Sequence, residues 1–325
     1  ALPLKGAPPV ARQSRFHGDR WVRSPRARAE RPDNRRTGLT LHPALQLQQQ
    51  ISSGRLVRAP GAYDSLSARL VEQAGFEAIY MTGFGATASR LGQPDIGLLT
   101  QTEMTTHARD MVRAVGVPVI ADADTGYGGP SNIARTVREY LQAGVAAIHL
   151  EDQVAPKRCG QMAGIKLIDA AENARRLRAA LAARGSDPLL VIGRTDALPA
   201  IGIAEALDRA RRYQDAGVDL VFVDGIKTVA EVEAVARGLP GPKVVSIVDG
   251  NPSTALTTAD LQAMGFAVVL YAVTTLFAAT RAVQQALATL AADGTPKAVP
   301  GVSYPDFTRV VGLADHQALD HDFGA

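Results

Sequence analysis

Cysteine is nearly absent from this chain of 325 residues, which contains only Cys159. A single cysteine cannot form an internal disulfide, so the sequence excludes a disulfide-stabilised secreted scaffold and favours a reducing, cytoplasmic compartment. Aromatic residues make up only 5% of the chain, which argues against a β-sandwich and against a surface that stacks nucleic-acid bases. No run of eighteen apolar residues occurs, so we expect no membrane-spanning helix. With 46% hydrophobic and 21% charged residues, the composition is that of a globular protein.

Acidic residues are scarce in the first 38 residues, where ten basic residues and three acidic ones give a net charge of +7. The rest of the chain has 25 basic and 29 acidic residues, a net charge of −4. We interpret residues 1–38 as a disordered or wrongly assigned leader, with an organellar transit peptide or a nucleic-acid-binding arm as alternatives. We expect residues 39–325 to form one domain with a C-terminal helical segment.

After this segment, short apolar runs alternate with helical stretches. Eight runs have the length and continuous apolarity of strands that are covered on both faces. They are Leu56–Arg58, Ala78–Met81, Pro118–Asp122, Ala147–Leu150, Leu189–Gly193, Leu220–Val223, Val244–Ile247 and Ala267–Leu270. Helices are predicted at His42–Ser53, Ser65–Ala74, Gln101–Val115, Ser131–Ala143, Ala170–Ala183, Ala204–Ala216, Val229–Arg237, Thr258–Met264 and Thr274–Ala292.

This repeated alternation predicts a (β/α)8 TIM barrel. Three predicted helices end in Ala-Gly, at Gly75, Gly144 and Gly217, where a left-handed glycine lets the chain leave a helix. The alternative is an open, doubly wound sheet. That fold requires a Gly-x-Gly-x-x-Gly turn after its first strand, and the sequence there is Ala59-Pro-Gly-Ala-Tyr-Asp64.

Charged residues follow four consecutive predicted strands, at the barrel end where such enzymes build their sites. Asp122 and Asp124 follow the third strand, Glu151 the fourth, Arg194 the fifth and Asp224 the sixth. Crowded carboxylates need either a bound cation or raised pKa values. Hard oxygen ligands without a histidine cluster favour Mg²⁺ or Mn²⁺ over Zn²⁺. The alternative interpretation is that these acids cap the helices that follow.

Arg194 follows a buried strand and cannot lose its charge. Beside a metal it would bind a carboxylate or phosphonate of the substrate with two hydrogen bonds. Its alternative role is an ion pair with Asp196 or Glu151. The Thr82 hydroxyl and the Gly83 backbone N–H could donate to the same anion.

Cys159 lies in a polar segment between Lys157, Arg158 and two glycines, which is not the setting of a core residue. A buried structural cysteine is the alternative. Neighbouring cations favour a thiolate with a mobile proton. We therefore predict a functional cysteine on a loop that acts as a lid over the barrel.

Over about residues 43–300 the sequence resembles the isocitrate lyase/phosphoenolpyruvate mutase superfamily. The motifs that carry the resemblance are Tyr80-Met-Thr-Gly-Phe-Gly85, Pro94-Asp-Ile-Gly97, Asp122-Ala-Asp-Thr-Gly-Tyr-Gly128, His149-Leu-Glu-Asp-Gln153, Lys157-Arg-Cys-Gly160 and Gly193-Arg-Thr-Asp-Ala197. The resemblance implies a Mg²⁺- or Mn²⁺-dependent barrel, in homodimers or homotetramers that exchange the last helix between subunits. The metal shell that it implies, partly through water, comprises Asp95, Asp122, Asp124 and Glu151.

The resemblance also implies how a small carboxylate substrate is bound. The implied substrate residues are Thr82, Gly83 and Arg194, with Tyr80 near the reacting centre and Phe84, Gly160 and Asp224 also in the pocket. In the lyase branch the loop cysteine, here Cys159, protonates the departing enolate. The mutase and phosphonopyruvate hydrolase branch has an asparagine-bearing loop instead, which this sequence lacks.

The expected activity is therefore carbon–carbon cleavage of a 2-hydroxy or 2-keto di- or tricarboxylate, similar to that of 2-methylisocitrate lyases. Three departures from the family pattern favour a smaller dicarboxylate. They are Gln161 in place of histidine, Asp224 in place of glutamate and Ser246 in place of asparagine. The alternatives are a P–C bond mutase or hydrolase, an oxaloacetate decarboxylase, and an inactive relative that serves as a binding protein.

Overall fold

Eight parallel strands close into a barrel in the computed structural model, which describes residues 41–324. The strands are β1 (Val57–Ala62), β2 (Ile79–Met81), β3 (Val119–Asp122), β4 (Ala147–Glu151), β5 (Leu190–Thr195), β6 (Leu220–Val223), β7 (Lys243–Ser246) and β8 (Val268–Tyr271). Each strand pairs with its neighbours in chain order, and β8 closes on β1 from Val57↔Val268 to Pro60↔Tyr271. The predicted (β/α)8 barrel is confirmed.

Helices follow the strands and surround the barrel. They are α1 (Pro43–Ser52), α2 (Ser65–Gln73), α3 (Gly83–Leu91), α4 (Gln101–Ala114), α5 (Pro130–Ala143), α6 (Ala170–Arg184), α7 (Ala197–Ile201), α8 (Ile203–Asp215), α9 (Val229–Gly238), α10 (Thr258–Ala263), α11 (Thr274–Asp293), α12 (Tyr304–Val310) and α13 (Leu313–Phe323). The glycines after α2, α5 and α8 have φ of +87°, +83° and +96°, so the predicted left-handed helix ends are confirmed.

The structure differs from the sequence prediction in two places near the barrel mouth. The short helices α3 and α7 were not predicted, since Gly83-Phe-Gly85 and Leu198-Pro-Ala200 have low helix propensity. The first strand continues past its predicted end at Arg58 as far as Ala62. Pro60-Gly61 is typical of a turn, but the pairing of Pro60 with β8 and of Gly61 with β2 holds it extended. Barrel closure therefore overrides local preference at these positions.

Alternate strand residues point into the barrel and form two layers of different chemistry. The lower layer is apolar and includes Val57, Ile120, Leu190, Leu220, Val244 and Val268, with Leu47 of α1 packed against it. Toward the carboxyl ends of the strands, one pleat later on β3 and two pleats later on β5 and β6, the inward positions carry Tyr80, Asp122, Glu151, Arg194 and Asp224. The apolar layer thus supports the polar layer from below.

The second apolar cluster lies between the strands and the surrounding helices. Helix α11, like the shorter helices α12 and α13 after it, has no buried residue, whereas each of the helices α1–α10 has at least one. None of the helices within residues 41–324 has the length and hydropathy needed to cross a membrane. The interpretation of residues 1–38 lies outside the described residues, so it stays a prediction.

Candidate active site

A cavity of about 110 Å³ lies at the carboxyl ends of the strands. Nine of the predicted site residues line it: Tyr80, Thr82, Phe84, Asp95, Asp122, Cys159, Gly160, Arg194 and Asp224. Asp124 instead lines an adjoining recess of about 480 Å³, together with Lys157. Gly83 and Glu151 line neither space, but each contacts a lining residue directly. The structure therefore brings all the predicted site residues to one end of the barrel, while their roles stay predictions.

The Arg194 guanidinium is buried among acidic side chains. Its Nη2 lies 2.9 Å from Asp196 Oδ1 and 2.6 Å from Asp224 Oδ2, and its Nε lies 3.3 Å from Glu151 Oε2. Burial opposes the charge, but Asp196, Asp224 and Glu151 outweigh it and raise the pKa of Arg194 well above its ordinary value. The alternative that Arg194 pairs with Asp196 or Glu151 is therefore realised. Arg194 remains a fixed positive charge at the cavity wall.

Tyr80 is linked to Asp122 through a buried histidine that the sequence reasoning left without a role. The Tyr80 hydroxyl lies 3.0 Å from His149 Nε2, and His149 Nδ1 lies 3.7 Å from Asp122 Oδ1. Burial lowers the pKa of His149 to about 4 and raises that of Tyr80 well above its ordinary value. Both side chains are therefore neutral at neutral pH. The signal was available, because His149 precedes Glu151 by two positions and so shares its inward face.

The chain turns from β2 into α3 directly at the cavity. The Thr82 hydroxyl caps α3 by accepting from Gly85 N–H at 3.3 Å, and Gly83 N–H donates to Asp122 Oδ2, also at 3.3 Å. A Cβ on residue 83 would lie only 2.4 Å from that carboxylate oxygen, so glycine is required here. Both predicted donors are thus partly engaged within the protein. The amino end of α3 adds its partial positive charge beside them.

Lys157 is a buried cation among the predicted metal-shell carboxylates. Its Nζ lies 2.7 Å from Asp95 Oδ1 and 2.9 Å from Asp124 Oδ1. Burial raises the pKa of Asp124 to about 6, with Lys157 opposing that shift. Burial likewise raises the pKa of Glu151, against the opposing charge of Arg194. The sequence reasoning treated Lys157 only as a neighbour of the cysteine and missed this position.

The carboxylates fit a divalent cation by their chemistry. Among the described residues, Glu151 Oε1 is a buried oxygen without a hydrogen bond or ion pair, and the only partners of Glu151 Oε2 and Asp124 Oδ1 are the cations Arg194 and Lys157. A buried carboxylate oxygen that lacks a partner is costly unless its charge is compensated. Within residues 41–324 no three histidine, cysteine or acidic side chains stand close enough together to enclose a metal ion. The Lys157 ammonium lies between Asp95 and Asp124, in contact with both carboxylates. These residues offer hard oxygen ligands of the kind that Mg²⁺ takes.

The backbone is strained where the third strand meets the predicted metal-shell residues. Asp124 has φ of +47° and Tyr127 has φ of +61°, values that are uncommon for residues with side chains. Asp124 N–H donates to Asp122 Oδ1 at 2.9 Å, which stabilises this conformation. Strain of this kind is typical of functional sites, since it fixes a side chain where relaxed backbone would not place it.

Cys159 lies on the loop between β4 and α6, residues 152–169, which we call the cysteine loop. Its thiol lines the cavity, and burial raises its pKa to about 12. The expectation that flanking cations favour a thiolate is wrong, because the Lys157 ammonium faces carboxylates instead. The thiol is therefore protonated at neutral pH, as a proton donor requires.

Asp152 is a second buried residue that the sequence reasoning left without a role. Its carboxylate accepts hydrogen bonds from the Thr195 hydroxyl at 2.7 Å and from Asp196 N–H at 2.9 Å. It also accepts from Arg209 Nη1 at 3.1 Å and from the Tyr213 hydroxyl at 2.8 Å. Asp152 thereby fixes the end of β5, which carries Arg194.

One side of the cavity is more apolar. Phe84 and Phe277 meet edge to face with ring centroids 6.2 Å apart, and Val248 and Val273 complete this side. Two of the departures from the family pattern, Gln161 and Ser246, also line the cavity. The Gln161 Oε1 accepts from Asn251 Nδ2 at 3.1 Å, so the cysteine loop contacts the segment after β7.

Comparison with known proteins identifies the family. Residues 47–291 match the model of the phosphoenolpyruvate phosphomutase family. The chain is 39% identical to 2,3-dimethylmalate lyase of Eubacterium barkeri, over 87% of this chain and 99% of the relative. It is 36% identical to 2-methylisocitrate lyase of Halalkalibacterium halodurans, over 85% and 91%.

Solved structures agree in fold. Oxaloacetate acetylhydrolase in complex with 3,3-difluorooxalacetate superposes with a TM-score of 0.83 at 36% identity, covering 87% of this chain and 98% of the other. Phosphonopyruvate hydrolase in complex with oxalate and Mg²⁺ gives 0.80 at 31% identity, covering 87% and 99%. This chain belongs to the phosphoenolpyruvate phosphomutase family, within the isocitrate lyase/phosphoenolpyruvate mutase superfamily.

Proposed function

We propose that this protein is a Mg²⁺-dependent carbon–carbon lyase that cleaves a small 2-hydroxydicarboxylate into a 2-keto acid and a second carboxylic acid. The observation that carries the proposal is the position of Cys159, a protonated thiol that lines the same cavity as Arg194 and Asp122. The similarity to a 2,3-dimethylmalate lyase and to a 2-methylisocitrate lyase supports it. Neither relative decides which dicarboxylate this chain takes.

Arg194 and Cys159 act on different parts of the substrate. Arg194 holds the carboxylate next to the 2-hydroxyl group, close to the donors at the start of α3. When that hydroxyl gives up its proton to solvent, its oxygen forms the keto group, and the C2–C3 bond breaks with its electron pair moving to C3. The resulting enolate of the second carboxylate takes the thiol proton of Cys159 at C3. The cysteine thiolate regains its proton from solvent after the products leave.

Mg²⁺ would be held by Asp122, Asp124, Glu151 and Asp95, partly through water. When bound, it supplies positive charge near the oxygen atoms on which negative charge develops. Mn²⁺ has the same ligand preference and can replace it.

The cavity supports a dicarboxylate with alkyl substituents over a tricarboxylate. Arg194 is the one cation among the residues that line it, and it already contacts three acids. Each further substrate carboxylate adds buried negative charge with no free cation to pair it, so three carboxylates are less favourable than two. The wall formed by Phe84, Phe277 and Val273 instead favours methyl groups.

The test is an assay of Mg²⁺-dependent keto-acid release with 2,3-dimethylmalate, 2-methylisocitrate, isocitrate and oxaloacetate. We expect the highest kcat/KM with 2,3-dimethylmalate and at least about a tenfold lower value with the tricarboxylates, as expected when a buried charge lacks its partner. Turnover of oxaloacetate alone would assign a decarboxylase or hydrolase of the same superfamily instead. Phosphorus-31 spectra of the enzyme with phosphonopyruvate test the P–C bond alternative, which alone predicts transfer of phosphorus from carbon to oxygen.

We also propose that the protein forms homo-oligomers through α11. This helix of 20 residues has no buried residue, and Val283 and Leu287 on it are 56% and 59% exposed. An apolar recess of about 530 Å³ lies beside β1, α2 and the start of α11. A second copy would cover both surfaces, by exchange of this helix. We place the protein in the cytoplasm, where its single thiol stays reduced.

Sedimentation velocity tests the oligomer proposal. The wild type should sediment as a dimer or tetramer, and Leu287→Asp should shift it toward the monomer. Arg178→Glu, on the exposed face of α6, is the matched charge-changing control and should leave the distribution unchanged. A wild type that is monomeric at micromolar concentration would contradict the proposal.

A further inference from the structure

We infer that Gln153 is a positioning residue that fixes the Cys159 thiol over the cavity. The thiol's role as a proton donor rests on the proposed function, but its placement is a separate, measurable property. Gln153 lies two residues after Glu151 and is 1% exposed. A fully buried glutamine needs partners for its amide, and these partners lie in the cysteine loop.

The Gln153 side chain makes two hydrogen bonds to the backbone of one residue. Its Nε2 donates to the Arg158 carbonyl oxygen at 2.7 Å, and its Oε1 accepts from Arg158 N–H at 2.8 Å. This paired contact resembles one rung of a sheet, formed by a side chain instead of a strand. It fixes the backbone of the residue that immediately precedes Cys159.

The backbone of Gln153 is itself anchored. Gln153 forms an isolated antiparallel bridge with Leu167, and Val154 N–H donates to the Lys166 carbonyl oxygen at 2.7 Å. The two ends of the cysteine loop are therefore joined where they leave the barrel. Because its base is rigid, the Gln153 side chain transmits the position of β4 to the loop tip.

The residues on either side of Arg158 are held from a different direction. Lys157 Nζ pairs with the Asp95 carboxylate at 2.7 Å, and Cys159 N–H donates to the Asp95 carbonyl oxygen at 3.1 Å. Residues 157–159 are thus held between Asp95 on one side and Gln153 on the other. Removing Gln153 releases one of the two sides, while the Asp95 contacts remain.

Only a primary amide of this length satisfies both Arg158 groups. A glutamate has the same shape, but its ionised carboxylate has no donor for the Arg158 carbonyl oxygen. That oxygen then faces a negative charge unless the carboxylate takes up a proton. An asparagine keeps the donor and the acceptor but is one methylene shorter. The two variants therefore perturb the same contact by different means, charge in one and reach in the other.

The single cysteine allows the placement to be measured without any substrate. Because Cys159 is the one thiol in the sequence, alkylation by iodoacetamide reports on this residue alone, through its exposure and its thiolate fraction. In the wild type the half-buried thiol, whose pKa is raised, should react slowly. We expect Gln153→Glu and Gln153→Asn to react about fivefold faster, the change that corresponds to losing one buried hydrogen bond of ordinary strength. The kcat for the cleaved dicarboxylate should fall, with KM within about twofold of wild type.

Gln214→Glu is the matched control, because Gln214 also donates to a backbone carbonyl, that of Pro240, but near the end of α8. It should leave both the alkylation rate and kcat unchanged. Circular dichroism and thermal unfolding of each variant verify that it is folded. Should Gln153→Glu fail to fold, Gln153→Asn carries the test alone.

Two results would overturn the inference. One is that folded Gln153 variants alkylate at the wild-type rate, whether or not they lose activity; the other is that they alkylate faster but keep the wild-type kcat. Failure of the proposed function looks different, because the wild type then releases no keto acid from any substrate while the alkylation rates still separate. The outcome for Gln153 and the outcome for the lyase activity can therefore be distinguished.

Discussion

The two layers inside the barrel lie on the same strands but differ in chemistry. On β3, Ile120 belongs to the lower, apolar layer, and Asp122, one pleat later, belongs to the upper, charged layer. The same change occurs on β5, from Leu190 to Arg194. The lower layer gains stability by burying apolar surface, whereas the upper layer buries charge, which costs stability unless partners are in place. Function therefore occupies the layer that contributes least to folding.

The largest effect should come from Arg194→Lys, which keeps the charge but removes the planar fork that contacts Asp196 and Asp224. We expect kcat/KM to fall about 10³-fold, as for loss of a preorganised charge at the reacting centre. Steady-state kinetics measure this. Arg178→Lys, on an exposed face of α6, is the matched control and should behave as wild type. Full activity in Arg194→Lys would show that the upper layer is structural.

The next effect is the pH dependence of Cys159 alkylation. Burial raises the pKa of the thiol from 9.0 to about 12, so the folded protein has less thiolate than the unfolded chain at any pH below that value. At mildly alkaline pH the native protein should react at least about a hundredfold more slowly than the urea-unfolded protein, since the thiolate is the reactive form. Its rate should keep rising through about pH 10 without a plateau. Equal rates in both states would contradict the buried placement.

A smaller effect should follow from Asp152→Asn, which lies behind the upper layer. The amide replaces an acceptor of four hydrogen bonds with a group that also donates, so the end of β5 loosens. We expect KM to rise about tenfold, with a loss of about 1–3 kcal/mol in the free energy of unfolding. Asp208→Asn, in an exposed ion pair with Arg212, should change neither quantity. A variant with unchanged KM would mean that Asp152 only stabilises the fold.

The smallest effect on activity should come from the lower layer. Ile120→Val removes one methylene from a fully buried side chain and should cost about 1 kcal/mol of unfolding free energy. Chemical denaturation measures the loss, and kcat/KM should stay within about twofold of wild type. A large loss of activity in this variant would show that packing in the apolar layer controls the geometry of the charged layer.

The same contrast explains what could be predicted from the sequence. Continuous apolar runs predicted all eight strands, because buried parallel strands are apolar on both faces, and strand ends located the charged layer. Helix α3 was missed because its stability comes from the Thr82 cap and its place in the barrel, not from the propensity of Gly83-Phe-Gly85. Helix propensity, which depends on local sequence, does not include these contacts.

The contact partners of the charged residues could not be predicted from the sequence either. Lys157 adjoins Cys159 in the chain, and proximity in sequence suggested that it lowers the thiol pKa. The folded loop instead turns its ammonium to Asp95 and Asp124. Asp152 likewise gains its role from Arg209 and Tyr213, more than fifty residues away. Contacts between distant segments set these environments, and one sequence without its fold cannot specify them.

The most direct test of the account is keto-acid release from 2,3-dimethylmalate by the wild type and by Cys159→Ser, each with Mg²⁺ and with EDTA. We predict release by the wild type with Mg²⁺, none with EDTA, and a rate at least about a hundredfold lower for Cys159→Ser, since a hydroxyl is a much weaker proton donor. Thermal unfolding should show that the serine variant is folded. Undiminished release by Cys159→Ser would contradict the assignment of the thiol as the proton donor, on which the proposed lyase mechanism depends.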